Sequence, residues 1–204
     1  MRAPANRRHV LALAAASVAA LAIAGCNSSE AAAANDMSMG KANAPVTVEE
    51  YASVTCSHCA TFNEQVFPAF KQKHVDTGQV RYVFKEFLTP PQEVAAAGFL
   101  VARCAGPDKY FGVVDGIFRA QPEMFRTGDW RGTLLRVAQT AGMTEQQFNT
   151  CVSDQAALKS LSERVEAGAK RGVESTPTFY VNGKKLEGAP TLANLDAAIA
   201  AAKK

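Results

Sequence analysis

An excess of charge of either sign is the first thing missing from this chain of 204 residues, in which 22 lysines and arginines face 19 acidic residues. Three of those bases, Arg2, Arg7 and Arg8, crowd the extreme N-terminus, and without them 19 basic residues meet 19 acidic ones. So neutral a body offers no electrostatic footprint for nucleic acid. Long apolar runs are missing too: the longest, Val10 to Ala24, has about fifteen residues where a membrane span takes roughly 20. Histidine is scarce, with three in the chain, so imidazole-rich metal sites find few ligands. The marks of disorder are absent, since 48% of residues are hydrophobic and 20% charged, enough for one domain with a sizeable core. From about residue 92 to 172 nothing reads as a strand.

What is present starts at the N-terminus. Residues 1–26 join a basic start, an apolar centre and small residues ahead of a cleavage point, the three parts of an export signal. Ile23-Ala24-Gly25-Cys26 resembles the bacterial lipobox, at which a lipoprotein signal is cut so that the cysteine becomes the lipidated first residue. Cys26 is then the lipidation site, and the mature protein is anchored to the periplasmic side of a bacterial membrane. The alternatives are a signal anchor kept in the bilayer, cleavage further along within residues 31–34, and twin-arginine export through Arg7-Arg8. Five cysteines are an awkward count for an oxidising compartment. Lipidation of Cys26 leaves two even pairs, Cys56 with Cys59 and Cys104 with Cys151. We expect the second pair to form a structural disulfide within the helical region, two buried free thiols being the alternative. Residues 27–42, rich in Ala, Ser, Asn and Met, read as a flexible tether ahead of a folded domain at 43–203.

Within that domain, Pro45 to Tyr51 alternates apolar and polar residues as a strand does, and Ala60 to Phe67 continues as a helix that Pro68 should kink or end. Cys56-Ser57-His58-Cys59 lies between them. There the unpaired N–H groups of a helix start favour an anion, so a thiol becomes a thiolate, the form that attacks disulfides. Gln79 to Phe87 is a second strand, making a parallel crossover unit with the first. Helical stretches at 95–105, 110–120, 130–141, 144–153 and 155–171 follow, broken at Gly106-Pro107, Gln121-Pro122, Gly128 and Gly142. Thr178 to Val181, the turn Asn182-Gly183 and Lys184 to Leu186 form a hairpin, and Thr191 caps a last helix. A Cys-x-x-Cys can also be half of a zinc site, but two further ligands are not apparent, with Cys104 and Cys151 far apart in sequence and His74 alone. No metal or other cofactor is expected.

The dithiol between strand and helix, with Ser175-Thr176-Pro177-Thr178 ahead of a later strand, resembles the thioredoxin fold: an α/β fold of β-α-β plus β-β-α. The all-helical insertion at about 92–172 narrows the resemblance to the DsbA-like thiol:disulfide oxidoreductases, which exchange disulfides with exported proteins. Cys56, at the helix start, should be the nucleophile and Cys59, one turn in and covered, the resolving thiol, with His58 between them stabilising the thiolate. The resemblance implies that Glu50, six residues before Cys56, is a buried proton acceptor for the resolving thiol, and that Lys85 on the neighbouring strand is its basic partner. The plainer reading of Glu50 is a solvated carboxylate at the sheet edge. Thr176-Pro177 would be a cis pair beside the dithiol that binds an extended substrate segment, or simply a strand-entry turn.

The function implied is an oxidase that gives its Cys56–Cys59 disulfide to exported proteins with free thiols and is reoxidised by a DsbB-like membrane partner, acting as a monomer. An isomerase or reductase kept reduced by a membrane electron donor is the alternative, hinted at by threonine before Pro177. Known isomerases of this type add a dimerisation domain, for which residues 27–42 are too short. A non-catalytic chaperone of the same fold is a third reading.

Overall fold

The computed structural model describes residues 36–203, together with Met1. The export signal, the Cys26 lipidation site and residues 27–35 of the tether lie outside the described residues. Five strands, β1 (Met37–Met39), β2 (Val46–Ala52), β3 (Val80–Glu86), β4 (Thr178–Val181) and β5 (Lys184–Lys185), form one sheet in the order β1-β3-β2-β4-β5. β2 and β3 run parallel with Val46 opposite Val80, and the other pairs are antiparallel. A parallel pair needs a crossover, here α1 (Ser57–Gln65), α2 (Phe67–Phe70) and a π-helical turn (Lys71–Val75). Pro68 falls in the first turn of α2, where its missing N–H costs nothing, so the helix that starts at the dithiol breaks at Val66.

Helices α3 (Gln92–Cys104), α4 (Pro107–Thr127), α5 (Trp130–Thr140), α6 (Glu145–Val152) and α7 (Gln155–Lys170) separate the two halves of the sheet, and α8 (Leu192–Ala202) closes the chain. The β5 hairpin turns through Asn182 and Gly183, both at positive φ (46° and 80°), as a two-residue turn matching the twist of its strands requires. Thr191 caps α8, its hydroxyl accepting from the Asn194 N–H at 3.2 Å. The β-α-β unit, helical insertion and β-β-α unit form the thioredoxin fold anticipated from the sequence.

Two expectations need correction. Residues 37–39, assigned to the tether, form the edge strand β1, with Met37 opposite Phe84 and Met39 opposite Tyr82. Three residues are too few to show a period, and what holds them is the β3 edge, which no local pattern reveals. The helix expected to end at Gln121-Pro122 instead runs through to Thr127. Pro122 forfeits one backbone hydrogen bond, and the final turn is secured by the fully buried Met124 and by Gly128, whose N–H closes on the Met124 carbonyl at 2.9 Å.

Alternation along β2 and β3 divides the sheet into two unlike faces. Val46, Val48, Glu50 and Ala52 share one with Val80, Tyr82, Phe84 and Glu86, as the register requires. Phe62, Phe67, Phe70, Phe99, Tyr110 and Phe111 pack onto this face as a chain of aromatic contacts. On the other face lie Glu49, Tyr51 and Tyr180, under Arg171, whose guanidinium stacks 4.0 Å above the Tyr180 ring. Gly168 of α7 lets that helix approach, since a Cβ there would lie 3.0 Å from the Tyr51 ring.

Candidate active site

β2 delivers the chain to the dithiol through a buried turn. Ser53 Oγ accepts the Thr89 N–H at 3.1 Å, and the Thr55 hydroxyl lies 2.8 Å from that of Thr89. Gln121 reaches in from α4 and donates through Nε2 to the carbonyls of Val54 and Cys56, at 2.8 and 3.2 Å. Cys56 is the N-cap of α1, its Sγ accepting the Cys59 N–H at 3.4 Å. Both thiols are free and buried, Cys59 completely so and Cys56 retaining 9% exposure, which makes Cys56 the one an incoming sulfur can reach.

Their electrostatics diverge sharply. A hydrogen bond from the Cys59 thiol, followed by donors at Thr176 and the backbone N–H groups of Cys59 and His58, pulls the Cys56 thiol down from 9.0 to about 5, against the effect of burial. Burial pushes the Cys59 thiol far above its usual range, reinforced by its hydrogen bond to Cys56 and by the charge of Glu50. As a thiol, Cys56 Sγ donates to the Thr176 carbonyl 3.3 Å away. The Thr176 hydroxyl, buried without a partner in that state, is the donor that favours the thiolate. The Thr176–Pro177 peptide is cis, and both residues sit beside Cys56 as the sequence suggested. The His58 side chain is exposed, and the hydrogen bond that His58 gives the thiolate comes from its backbone N–H.

Glu50 is fully buried on the dithiol face, which excludes the solvated edge. Burial raises its carboxyl from 4.5 to about 8, the Tyr82 hydroxyl bonded to it opposes this, and the charge of Cys56 adds to it. Lys85 is not its partner. Lys85 lies opposite Tyr51, on the other face of the sheet, where it pairs with Asp36 and lies 3.6 Å from Glu49. Tyr82, opposite Val48, takes the place given to Lys85. Glu49, turned outward, pairs with Arg171 at 2.7 Å.

Cys104 and Cys151 are joined as a disulfide with Cα atoms 6.0 Å apart, linking α3 to α6. Among the described residues there is no group of three or more His, Cys, Asp or Glu placed to hold a metal, and no helix is long and apolar enough to cross a membrane. Sequence reasoning missed the donors Gln121 and Tyr82. It also missed Glu86, a buried carboxylate that takes Arg103 Nε at 2.6 Å, Tyr110 Oη at 2.9 Å and Arg164 Nε at 2.8 Å. Strand parity would have found Tyr82 and Glu86, both in phase with Glu50.

This arrangement can exchange disulfides. When Cys56 and Cys59 are joined, a client thiolate attacks Cys56 Sγ and Cys59 leaves, taking up a proton because its thiolate is strongly disfavoured in its buried site. The client's second thiolate then attacks the client sulfur of the mixed disulfide and expels Cys56, a good leaving group because of its low pKa. The client loses two electrons and the protein's dithiol gains them.

Fold and dithiol together define a thioredoxin-fold redox protein, and the chain belongs to the thioredoxin family, whose model matches residues 32–201. Within that family it sits with the DsbA-like thiol:disulfide oxidoreductases. It is 33% identical over 155 residues to a Rickettsia bellii chain provisionally named a protein-disulfide oxidoreductase, the match covering 75% of this chain and 59% of that one. It is 25% identical over 152 residues to disulfide bond formation protein D of Bacillus subtilis, covering 73% of this chain and 68% of that protein. The crystal structure of Wolbachia pipientis alpha-DsbA1 superposes with a TM-score of 0.75 at 26% identity, over 83% of this chain and 91% of that one. The chain spans less than three-fifths of the length of the curated Rickettsia relative it matches.

Proposed function

We propose that the protein is an exported thiol:disulfide oxidase which passes its Cys56–Cys59 disulfide to periplasmic or secreted proteins carrying free thiols. The observation that carries this is the opposed ionisation of the two thiols, Cys56 held down to about 5 and Cys59 pushed far up. A stabilised Cys56 thiolate stabilises the reduced form, and a dithiol stable when reduced makes an oxidising disulfide. Glu50, with its carboxyl near 8, is the group beside Cys59 that supplies or takes the proton in each half-reaction. Export through residues 1–26, lipidation of Cys26 and reoxidation by a DsbB-like membrane protein complete the reading. The test is the equilibrium of the Cys56–Cys59 disulfide with glutathione, in a Cys104→Ala/Cys151→Ala background as control. A potential well above that of the glutathione pool is expected, and one near thioredoxin's would move the assignment to a reductase or isomerase.

A further inference from the structure

Residues 173–177, which bring Thr176 to the thiol of Cys56, lie in neither helix nor strand, so the place of Thr176 is decided by what fastens the two ends of this stretch. At the far end Thr178 enters β4 opposite Tyr51 of β2. At the near end Arg171 caps α7, Gly172 turns the chain away at a φ of 87°, and the Val173 N–H returns to the Gly168 carbonyl at 3.1 Å. The Arg171 side chain then crosses to β2. It forks onto Glu49, Nη1 donating to Oε1 at 2.8 Å and Nη2 meeting Oε2 at 2.7 Å, and Nη1 also donates to the Tyr51 hydroxyl at 3.1 Å. Tyr180 of β4 closes the arrangement: its ring centroid lies 4.0 Å under the guanidinium, and its hydroxyl donates to the Arg171 carbonyl at 3.3 Å.

Resting on the disulfide-exchange reading above, we infer that Arg171 is a positioning residue for the reaction: its fork on Glu49 ties the start of the Thr176–Pro177 segment to β2 and so sets how closely Thr176 approaches Cys56 Sγ. Glu49 and Tyr51 belong to β2, and the same strand runs on into the turn in which the Cys56 N–H closes on the Ser53 carbonyl at 3.0 Å. Thiol and Thr176 therefore take their places from one strand. A bidentate fork with a ring stacked on it fixes distance and direction together, which a lysine at this position would not. Glu49 keeps only 15% of its side-chain exposure, so the fork is unlike the solvated surface pairs that contribute little. Releasing it frees the near end of the segment. Thr176, whose carbonyl accepts from the thiol and whose hydroxyl favours the thiolate, then moves away from Cys56.

The test is the ultraviolet absorbance of the Cys56 thiolate as the reduced protein is titrated, in Arg171→Met and in Glu49→Met, each corrected with its Cys56→Ala counterpart and each shown by circular dichroism to be folded. One substitution removes a positive charge and the other a negative one, so a direct field on Cys56 would drive the two midpoints in opposite directions. Cys59 and Glu50, the titratable groups that act on Cys56 at close range, stay in place in both. Loss of position moves both midpoints upward, by roughly 0.5–1 pH unit for one weakened hydrogen bond to the thiolate. It also lowers the equilibrium constant for oxidising glutathione by about 3–10-fold. In a Thr176→Ala background the same substitutions should move the midpoint far less, because Arg171 acts through Thr176. Unchanged midpoints, midpoints that move apart, or a full shift in the Thr176→Ala background would overturn the assignment. Should Arg171→Met fail to fold, Glu49→Met decides by itself, since an upward midpoint is the reverse of what losing a carboxylate does to a nearby thiol. A potential of the unaltered protein near thioredoxin's would sink the oxidase reading alone, because the fork is read as a difference between variants.

Discussion

Cys56 and Glu50 carry opposite ionisation signatures, and pH separates them. With its thiol near 5 instead of 9.0, Cys56 should be largely thiolate at neutral pH, so absorbance near 240 nm in the reduced protein should rise with a midpoint close to pH 5 and vanish in Cys56→Ala. Cys59 should add nothing to that titration. The depressed Cys56 value favours the folded reduced state increasingly between pH 5 and 9, and this contribution is lost as pH falls through about 5. Glu50 works in the other sense. Its carboxyl is raised from 4.5 to about 8, so the folded state holds a proton that the unfolded state has released, and stability falls as pH climbs between those values. In the oxidised protein, where no thiol titrates and burial still raises the carboxyl although the Cys56 charge is gone, Glu50→Gln should remove a slope of up to about 1.4 kcal/mol per pH unit above pH 4.5. Denaturant titrations at pH 5 and pH 8 would check it, and an unchanged slope would place the Glu50 titration elsewhere. Cys56, Cys59, Thr176 and Pro177 were legible because each sits in a short motif whose chemistry is local. At Lys85 resemblance and parity point to different faces: it is out of phase with Tyr82, Phe84 and Glu86, and therefore on the wrong face for Glu50.

Among the elements, β1 and the α3–α6 disulfide each hold a margin of the fold. Beginning the chain at Asn43 removes β1 and bares the backbone of β3, an unprotected edge of the kind that recruits other chains. That truncation should lower the melting temperature and promote self-association in light scattering, whereas a chain beginning at Asp36 should behave as the longer one does. Cys104→Ala/Cys151→Ala opens a loop of 47 residues, which the chain-entropy model values at about 4 kcal/mol. Chemical denaturation should register a loss of roughly 2–5 kcal/mol. The long helices were readable because apolar periodicity and glycine breaks repeat within each. α4 was cut short because Pro122 speaks locally, whereas Met124 and Gly128 hold the last turn through contacts that a sequence window does not contain.

For the molecule as a whole, two of the points that bond the helical insertion to the rest of the fold are buried polar side chains. Glu86 gathers Arg103, Tyr110 and Arg164 from α3, α4 and α7 around one buried carboxylate. Glu86→Ala should take the shared carboxylate from both arginines and destabilise by roughly 3–5 kcal/mol, as breaking a buried charge network does. Such a network is invisible to pattern reading, since its other members lie 17 to 78 residues from Glu86 and meet it only once the layers have packed. The second point is Gln121, from α4 to the turn that presents Cys56. Its consequence concerns how the insertion can vary in length. One residue added to α4 ahead of Gln121 would swing that amide by about 100° around the helix axis and leave the Val54 and Cys56 carbonyls without their donor. Additions at the turns at Gly128 and Gly142 leave the phase of Gln121 untouched. Lengthening of the insertion is thus permitted, as far as Gln121 is concerned, at those two turns and forbidden between Pro107 and Gln121, a boundary drawn by a single side chain.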